Sequence, residues 1–208
     1  MRKLHPEFDF WLGGDSWIED DSHIFWILYY RDSFKCIQLL LAYLLFQVHL
    51  DFELVHLAES VGHPIYTEMD MGDWRWDTLH HLLAGVMIVP VICASYKTQL
   101  TNFSGDQHAW QLYLTVGNIR KDIRCTCKNS AWICTGPNSC PPKRAKYMDK
   151  ALHNAVWTVL SQLCHLDITG PGLKWDSADG FQRQWYPLLA AWVGDYPEQV
   201  MVAEVTYG

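Results

Sequence analysis

The sequence predicts a mixed α/β chain whose regular elements run β-β-β-α-β-α-β behind an N-terminal helical region. Three observations predict it. Residues 91–124 hold a strand-like apolar run, a polar turn and a second strand. That second strand alternates cleanly, with Trp110, Leu112, Leu114 and Val116 on one face and Gln111, Tyr113 and Thr115 on the other. Residues 145–166 carry the strongest helical stripe in the chain: Met148, Leu152, Ala155, Val156, Val159, Leu160 and Leu163 oppose Lys146, Lys150, His153, Asn154, Ser161 and Gln162. The remaining apolar runs are short and punctuated by turn chemistry such as TGPNSCPP (135–142) and GPG (170–172), which suits a small sheet.

In chain order, residues 1–23 show no sustained period and contain Gly13-Gly14 and the acidic run Glu19-Asp20-Asp21, so they read as a loop or arm. Residues 24–30 are an aromatic-rich apolar run compatible with strand or buried helix. Asp32 or Ser33 can cap a helix running into residues 46–50, because Phe34, Ile37, Leu40, Leu41, Leu44, Leu45 and Val48 recur at three- and four-residue steps. So apolar a helix must pack against something, in this chain or in a partner. Residues 53–58 and 64–67 alternate briefly, and DMGDWRWDT (70–78) reads as an aromatic-pinned loop. Pro90 would interrupt a central ladder, so the first strong strand is expected to pair from Val91. Its hairpin partner is 108–116, and 130–134 adds a third strand. After the long helix come a strand at 173–178, a brief helix from Pro187 closed by Gly194, and a last strand at 199–206. The division expected is an upstream region, 1–85, and a core, 86–208.

Composition bounds the function. Half of the 208 residues are hydrophobic and 19% charged, which describes a folded chain. The eleven Trp exceed what one core absorbs in full, so some rings should be half exposed. A net charge of −7 excludes a protein that binds nucleic acid over its whole surface. The charge is uneven: −9 before residue 118, +6 across 118–150 and −4 after. The basic stretch, with Arg120, Lys121, Arg124, Lys128, Lys143, Arg144 and Lys146, can meet phosphate or stand as a solvated loop. Residues 24–50 look membrane-like until Arg31, Asp32 and Lys35 interrupt them. The uninterrupted remainder is too short to span a bilayer, and no signal peptide is visible, so neither membrane nor secretory route is expected. Seven cysteines, an odd count, then suit reduced thiols.

Few motifs carry chemistry by themselves. Cys125, Cys127, Cys134 and Cys140 cluster, but gaps of one, six and five residues do not match paired zinc ligands. His80-His81 are adjacent, whereas helical metal ligands need spacing of three or four. There is no G-x-S-x-G elbow, Walker loop or G-x-G-x-x-G. Asp106, Asp176, Asp179 and Asp195 fall beside strand ends or turns. Phosphodiester chemistry uses paired carboxylates to hold two Mg²⁺ ions, yet each of these residues also suits a turn or cap.

Three segments carry a resemblance: GDWRWDT (72–78), IVPVICASYKTQLTNFSGDQHAWQLYLTVGNIRKDIR (88–124) and GPGLKWDSADGFQRQWYPLLAAWVGDYPEQVMV (170–202). Together with YYRDSFKCIQLLLA and LDFELVHLAES upstream, they resemble the Plavaka-type transposases of fungal DNA transposons, a group related to the CACTA-type elements. The resemblance implies a DDE-type transposase with an RNase H-like core, here partial. It implies Mg²⁺ as cofactor of an intact member, DNA and full-length transposase as partners, and action in the nucleus.

Residue by residue, the family's first catalytic Asp lies in an ASDKTHLTNFSGD motif, where this chain has Tyr96. The second matches Asp179 in SADG, with Asp195 in GDYPEQ as the competitor; Asp179 and Asp106 are the metal-ligand candidates left. The third carboxylate is expected beyond residue 208. Residues 125–145 are richer in cysteine than the family pattern, as mutational drift would leave them. A tyrosine phenol, with an ordinary pKa of about 10, is neutral at pH 7 and does not replace a carboxylate on Mg²⁺. The expectation is therefore a degenerate transposase-derived chain without catalysis and with no cofactor of its own. The alternatives are a DNA- or transposase-binding module using 118–150, or a residual metal-dependent nuclease.

Overall fold

The computed structural model describes residues 15–19, 25–55, 57–58, 62–99, 108–126, 129–136, 145–167 and 170–203. A short antiparallel hairpin comes first: β1 (Asp15–Glu19) pairs with β2 (Phe25–Tyr29). Part of the segment read as a loop is thus a strand. Helix α1 (Ser33–Ala42) starts on Asp32, whose carboxylate accepts from the Lys35 N–H at 2.9 Å. It ends earlier than its apolar stripe. The backbone turns extended at Tyr43, and Leu44–Phe46 forms a 3-10 turn. Burying Phe46 and pairing Leu50 with Ile119 carries the chain across the sheet end, leaving Leu44, Leu45 and Val48 facing solvent. The Leu41 carbonyl at the helix end accepts instead from the Ala178 N–H at 2.8 Å.

Two-residue strands β3 (Leu57–Ala58) and β4 (Pro64–Ile65) pair antiparallel. The segment expected as an aromatic-pinned loop is a 3-10 turn, Met69–Met71, followed by helix α2 (Asp73–His80). Then comes the main sheet: β5 (Met87–Gln99), β6 (His108–Val116), the single-turn helix α3 (Lys121–Arg124), and β7 (Ile133–Gly136). The long helix α4 (Ala145–Cys164) leads to β8 (Leu173–Asp176), β9 (Gln182–Val193) and a final helix α5 (Tyr196–Val202).

The sheet order is β7-β6-β5-β9-β8, with β9 parallel to β5 and the other neighbours antiparallel. The fold is therefore mixed α/β around a five-stranded mixed sheet, as expected, and the hairpin of β5 and β6 stands where the alternation put it. Three sequence expectations are corrected. The β6 ladder starts at Val91 as expected, but β9 pairs from Met87, so the strand is paired on both sides of Pro90. The Pro90 carbonyl accepts from the Gly117 N–H at 2.6 Å, and N and O of one strand residue point the same way. The missing donor therefore faces the end of β6, not the β9 ladder. Gly117 is required at that crossing, since a Cβ there would meet the Pro90 Cβ at 2.9 Å.

Second, Pro187 opens no helix: residues 182–193 are strand β9. The β8 ladder ends at Trp185, so beyond it one edge of β9 is free of that partner and tolerates proline. Third, the strand expected at 199–206 is helical through Val202, and residues 204–208 lie outside the described residues. The observed order of the core is thus β-β-β-α-β-β-α.

One hydrophobic core binds these parts. Val89, Val91 and Cys93 of β5, Leu112, Leu114 and Val116 of β6, and Trp185 of β9 present one sheet face. Cys36, Ile37, Leu40 and Leu41 of α1 and Val159, Leu160 and Leu163 of α4 cover it. The Ser33 hydroxyl donates to the Val159 carbonyl and ties the two covering helices. The apolar upstream helix therefore finds its partner within this chain.

Candidate functional site at the carboxyl ends of β5 and β9

In parallel α/β pairs the crevice beyond the carboxyl ends of the strands is where ligands bind. Here Ala94 pairs with Val193, so residues 95–97 of β5 run beside the turn that starts α5. Asp195 builds that turn: its Oδ1 accepts from the Glu198 N–H at 3.0 Å, and its carbonyl from the Gln199 N–H at 2.9 Å. Glu198 then points back into the sheet, 1% exposed. Its Oε2 accepts from Ser95 Oγ and its Oε1 from the Lys97 N–H, both at 2.8 Å. The carboxylate thus fastens β5 to α5 on either side of residue 96.

Tyr96 occupies the mouth and is 60% exposed. The Lys97 ammonium rests 5.5 Å from the centre of the Trp110 ring. The chemistry of this mouth follows from its donors: one phenol, one buried carboxylate with both oxygens engaged, and Asp195 with one oxygen used as a helix cap. Among the described residues no three His, Cys, Asp or Glu are grouped closely enough to hold a metal ion.

The other sequence candidates stand elsewhere. Asp179 lies in the β8–β9 turn, at the opposite end of β9 from Asp195. The 12 residues of that strand separate the two ends by about 35 Å at roughly 3.3 Å per residue. Asp179 is bidentate with Arg183, at 2.7 and 2.6 Å, and the guanidinium stacks 4.1 Å from the centre of the Phe52 ring. The Arg183 hydrogen bonds hold the Asp179 carboxyl below the ordinary carboxylate range. Asp176 is at the same end, where its Oδ1 accepts from Gln182 Nε2 at 3.3 Å. Asp195 stands at the same end of the sheet as Tyr96, and Asp179 and Asp176 stand at the other. Asp106 lies outside the described residues.

Of the basic stretch, Lys128, Lys143 and Arg144 lie outside the described residues, and Lys146 is described in backbone only. Arg124 turns inward, donating from Nη1 to the Ile119 carbonyl at 2.7 Å. Arg120 lies 3.6 Å from Asp122. The backbone N–H of Lys121 is held by Glu68, which puts a carboxylate beside this turn as well. Cys125 is exposed and Cys134 half-buried in β7, while Cys127 and Cys140 lie outside the described residues. His81 sits 2.7 Å from the Asp77 carbonyl as part of the α2 cap region.

Sequence reasoning overlooked Ser95 and Glu198. A usable signal existed for the second: Asp195-Tyr196-Pro197-Glu198 has the D-x-x-E spacing and first-turn proline of a helix start. Nothing local announces that Glu198 reaches across to β5.

A family model described as Plavaka transposase matches residues 17–208. No curated protein and no solved structure matches the chain.

Proposed function

The chain belongs to the Plavaka transposase family, and from that membership we propose that it is a transposase-derived protein that no longer performs metal-dependent DNA cleavage. The observation that carries this reading is the occupant of the mouth beside Asp195, where Tyr96 offers a phenol. Two-metal phosphodiester chemistry needs carboxylates shared between ions. Glu198 has both oxygens committed to Ser95 and Lys97. The donor set therefore does not fit a Mg²⁺ pair.

The same reading takes Asp195, rather than Asp179, as the descendant of the family's second carboxylate. The support is position: Asp195 follows the strand that pairs in parallel with β5, whereas Asp179 is spent on Arg183. It also takes the sheet as a partial RNase H-like core. Its support is a three-stranded antiparallel meander, a helix, and then the β8–β9 pair, whose second strand returns parallel beside the first. DNA in the nucleus is the partner this ancestry carries.

The test is cleavage. Purified chain with supercoiled DNA and Mg²⁺ or Mn²⁺ should leave the DNA intact. Metal-dependent nicking that Asp195→Ala abolishes would overturn the proposal. Tyr96→Asp should add a divalent cation site, read as Mn²⁺ binding by calorimetry that the parent chain lacks and that Tyr96→Asp/Asp195→Ala loses again.

A further inference from the structure

A second polar assembly lies at the other end of β5, away from the mouth, and the function above makes no use of it. Asp70, Arg75 and Asn118 are 5%, 2% and 0% exposed, which is deep for two charged groups and an amide. They come from three separate segments: the 3-10 turn before α2, α2 itself, and the turn after β6. The Ile88 carbonyl draws two of them together, accepting from Arg75 Nη2 and from Asn118 Nδ2, each at 3.4 Å. Asn118 Nδ2 also donates to the Asp51 carbonyl at 3.1 Å. Burial pulls the Arg75 guanidinium below its ordinary value, and the charges of Asp70 and then Asp51 oppose that pull, which puts both within electrostatic reach.

The direct bonds leave a remainder. Among the described residues, Arg75 Nη1 is a buried donor without a hydrogen-bond partner, and Asp70 Oδ1 and Asn118 Oδ1 are buried acceptors without one. Buried polar atoms are as a rule satisfied, and a charge left incomplete in the interior is costly. One donor and two acceptors are the complement of a single water molecule, which accepts once and donates twice. Internal waters typically make about three hydrogen bonds of this kind.

We infer that Asp70, Arg75 and Asn118 form a binding site for one internal water, which accepts from Arg75 Nη1 and donates to Asp70 Oδ1 and Asn118 Oδ1. The bridged hub fastens the turn at 69–71, α2 and the end of β6 to the outer face of β5. It explains how a guanidinium is kept in the interior of a chain this size without a short direct ion pair.

The wild-type chain tests this directly. In ¹⁵N-labelled protein, magnetisation transfer from water to the Asn118 Nδ2 protons should carry the negative sign of a long-lived bound molecule. Positive-sign transfer, or none, at a resolved Asn118 signal would overturn the site. A thermodynamic cycle supplies the second readout, since Asp70 and Asn118 share no hydrogen bond. With a shared water, the melting-temperature loss of Asp70→Ala/Asn118→Ala falls short of the sum of the two single losses. Additive losses would mean that no common water joins them.

Discussion

Glu198 is the residue on which the mouth depends most, because its two oxygens serve two groups on another strand. Replacing it with Ala leaves the buried Ser95 Oγ and the part-buried Lys97 N–H without their acceptor. Unsatisfied buried groups cost about 1–3 kcal/mol each, so Glu198→Ala should lose about 2–3 kcal/mol in urea denaturation. Glu198→Gln, which keeps an acceptor, should lose about half as much. Tyr96, by contrast, projects into solvent. Tyr96→Phe should stay within about 0.5 kcal/mol of the parent chain, the ordinary range for a surface position. Such a contrast separates the residue that builds the mouth from the residue that fills it. The same scale distinguishes the thiols: burial pushes Cys36 and Cys93 up to about 12, whereas Cys125 and Cys164 are exposed. Native-state alkylation at pH 8, read by peptide mass, should label Cys125 and Cys164 at once. Cys36 and Cys93 should react only on unfolding, because the thiolate is the reactive form.

The β8–β9 hairpin is an element held by one ion pair and its aromatic bed. Arg183 lowers the Asp179 pKa, so the sign of its pH dependence is determined. The contribution is complete above the unfolded value near 4 and is lost as pH falls through the lowered folded value. The melting-temperature gap between the parent chain and Asp179→Asn should therefore be constant from pH 7 to about 4 and close below it. Glycine matters at the start of this hairpin. Gly172 has φ +75°, and a Cβ there would fall 2.7 Å from Tyr186 Cε2, whose hydroxyl donates to the Gly170 carbonyl. At the far end of β9, Asp195→Ala removes the α5 cap and should cost about 1 kcal/mol.

At the scale of the whole molecule, the sheet is covered on one face by α1 and α4, so the upstream helix is as much part of the core as the strands. Leu114 lies at the centre of that arrangement, fully buried between β5 and the covering helices. Leu114→Ala should lose about 3 kcal/mol, within the range for buried leucines. The sharp division between a mouth at the carboxyl ends of β5 and β9 and a structural ion pair at the opposite end also belongs to this scale. It follows from the parallel pairing of β5 with β9, from Met87↔Trp185 to Ala94↔Val193, which puts Asp195 at the Tyr96 end of the sheet and Asp179 at the other.

The sequence by itself determined the hairpin of β5 and β6, the long helix α4 and the family. Alternation and helical stripes are local, and the family resemblance rests on contiguous stretches such as GDWRWDT and GDYPEQ. It also singled out Tyr96. What only the tertiary structure decided is everything that depends on a remote neighbour. Pro90 and Pro187 sit in strands because each lies just past the end of a neighbouring ladder, β6 pairing from Val91 and β8 pairing stopping at Trp185. Residues 196–202, rich in Val and Met, are helical because Asp195 caps them and Glu198 is drawn into the sheet. The motif resemblance puts Asp179 ahead of Asp195, and each lies beside a turn. Arg183, four residues on, engages Asp179, and the parallel register of β9 puts Asp195 at the other end of that strand; only the register is invisible within a few residues of either aspartate.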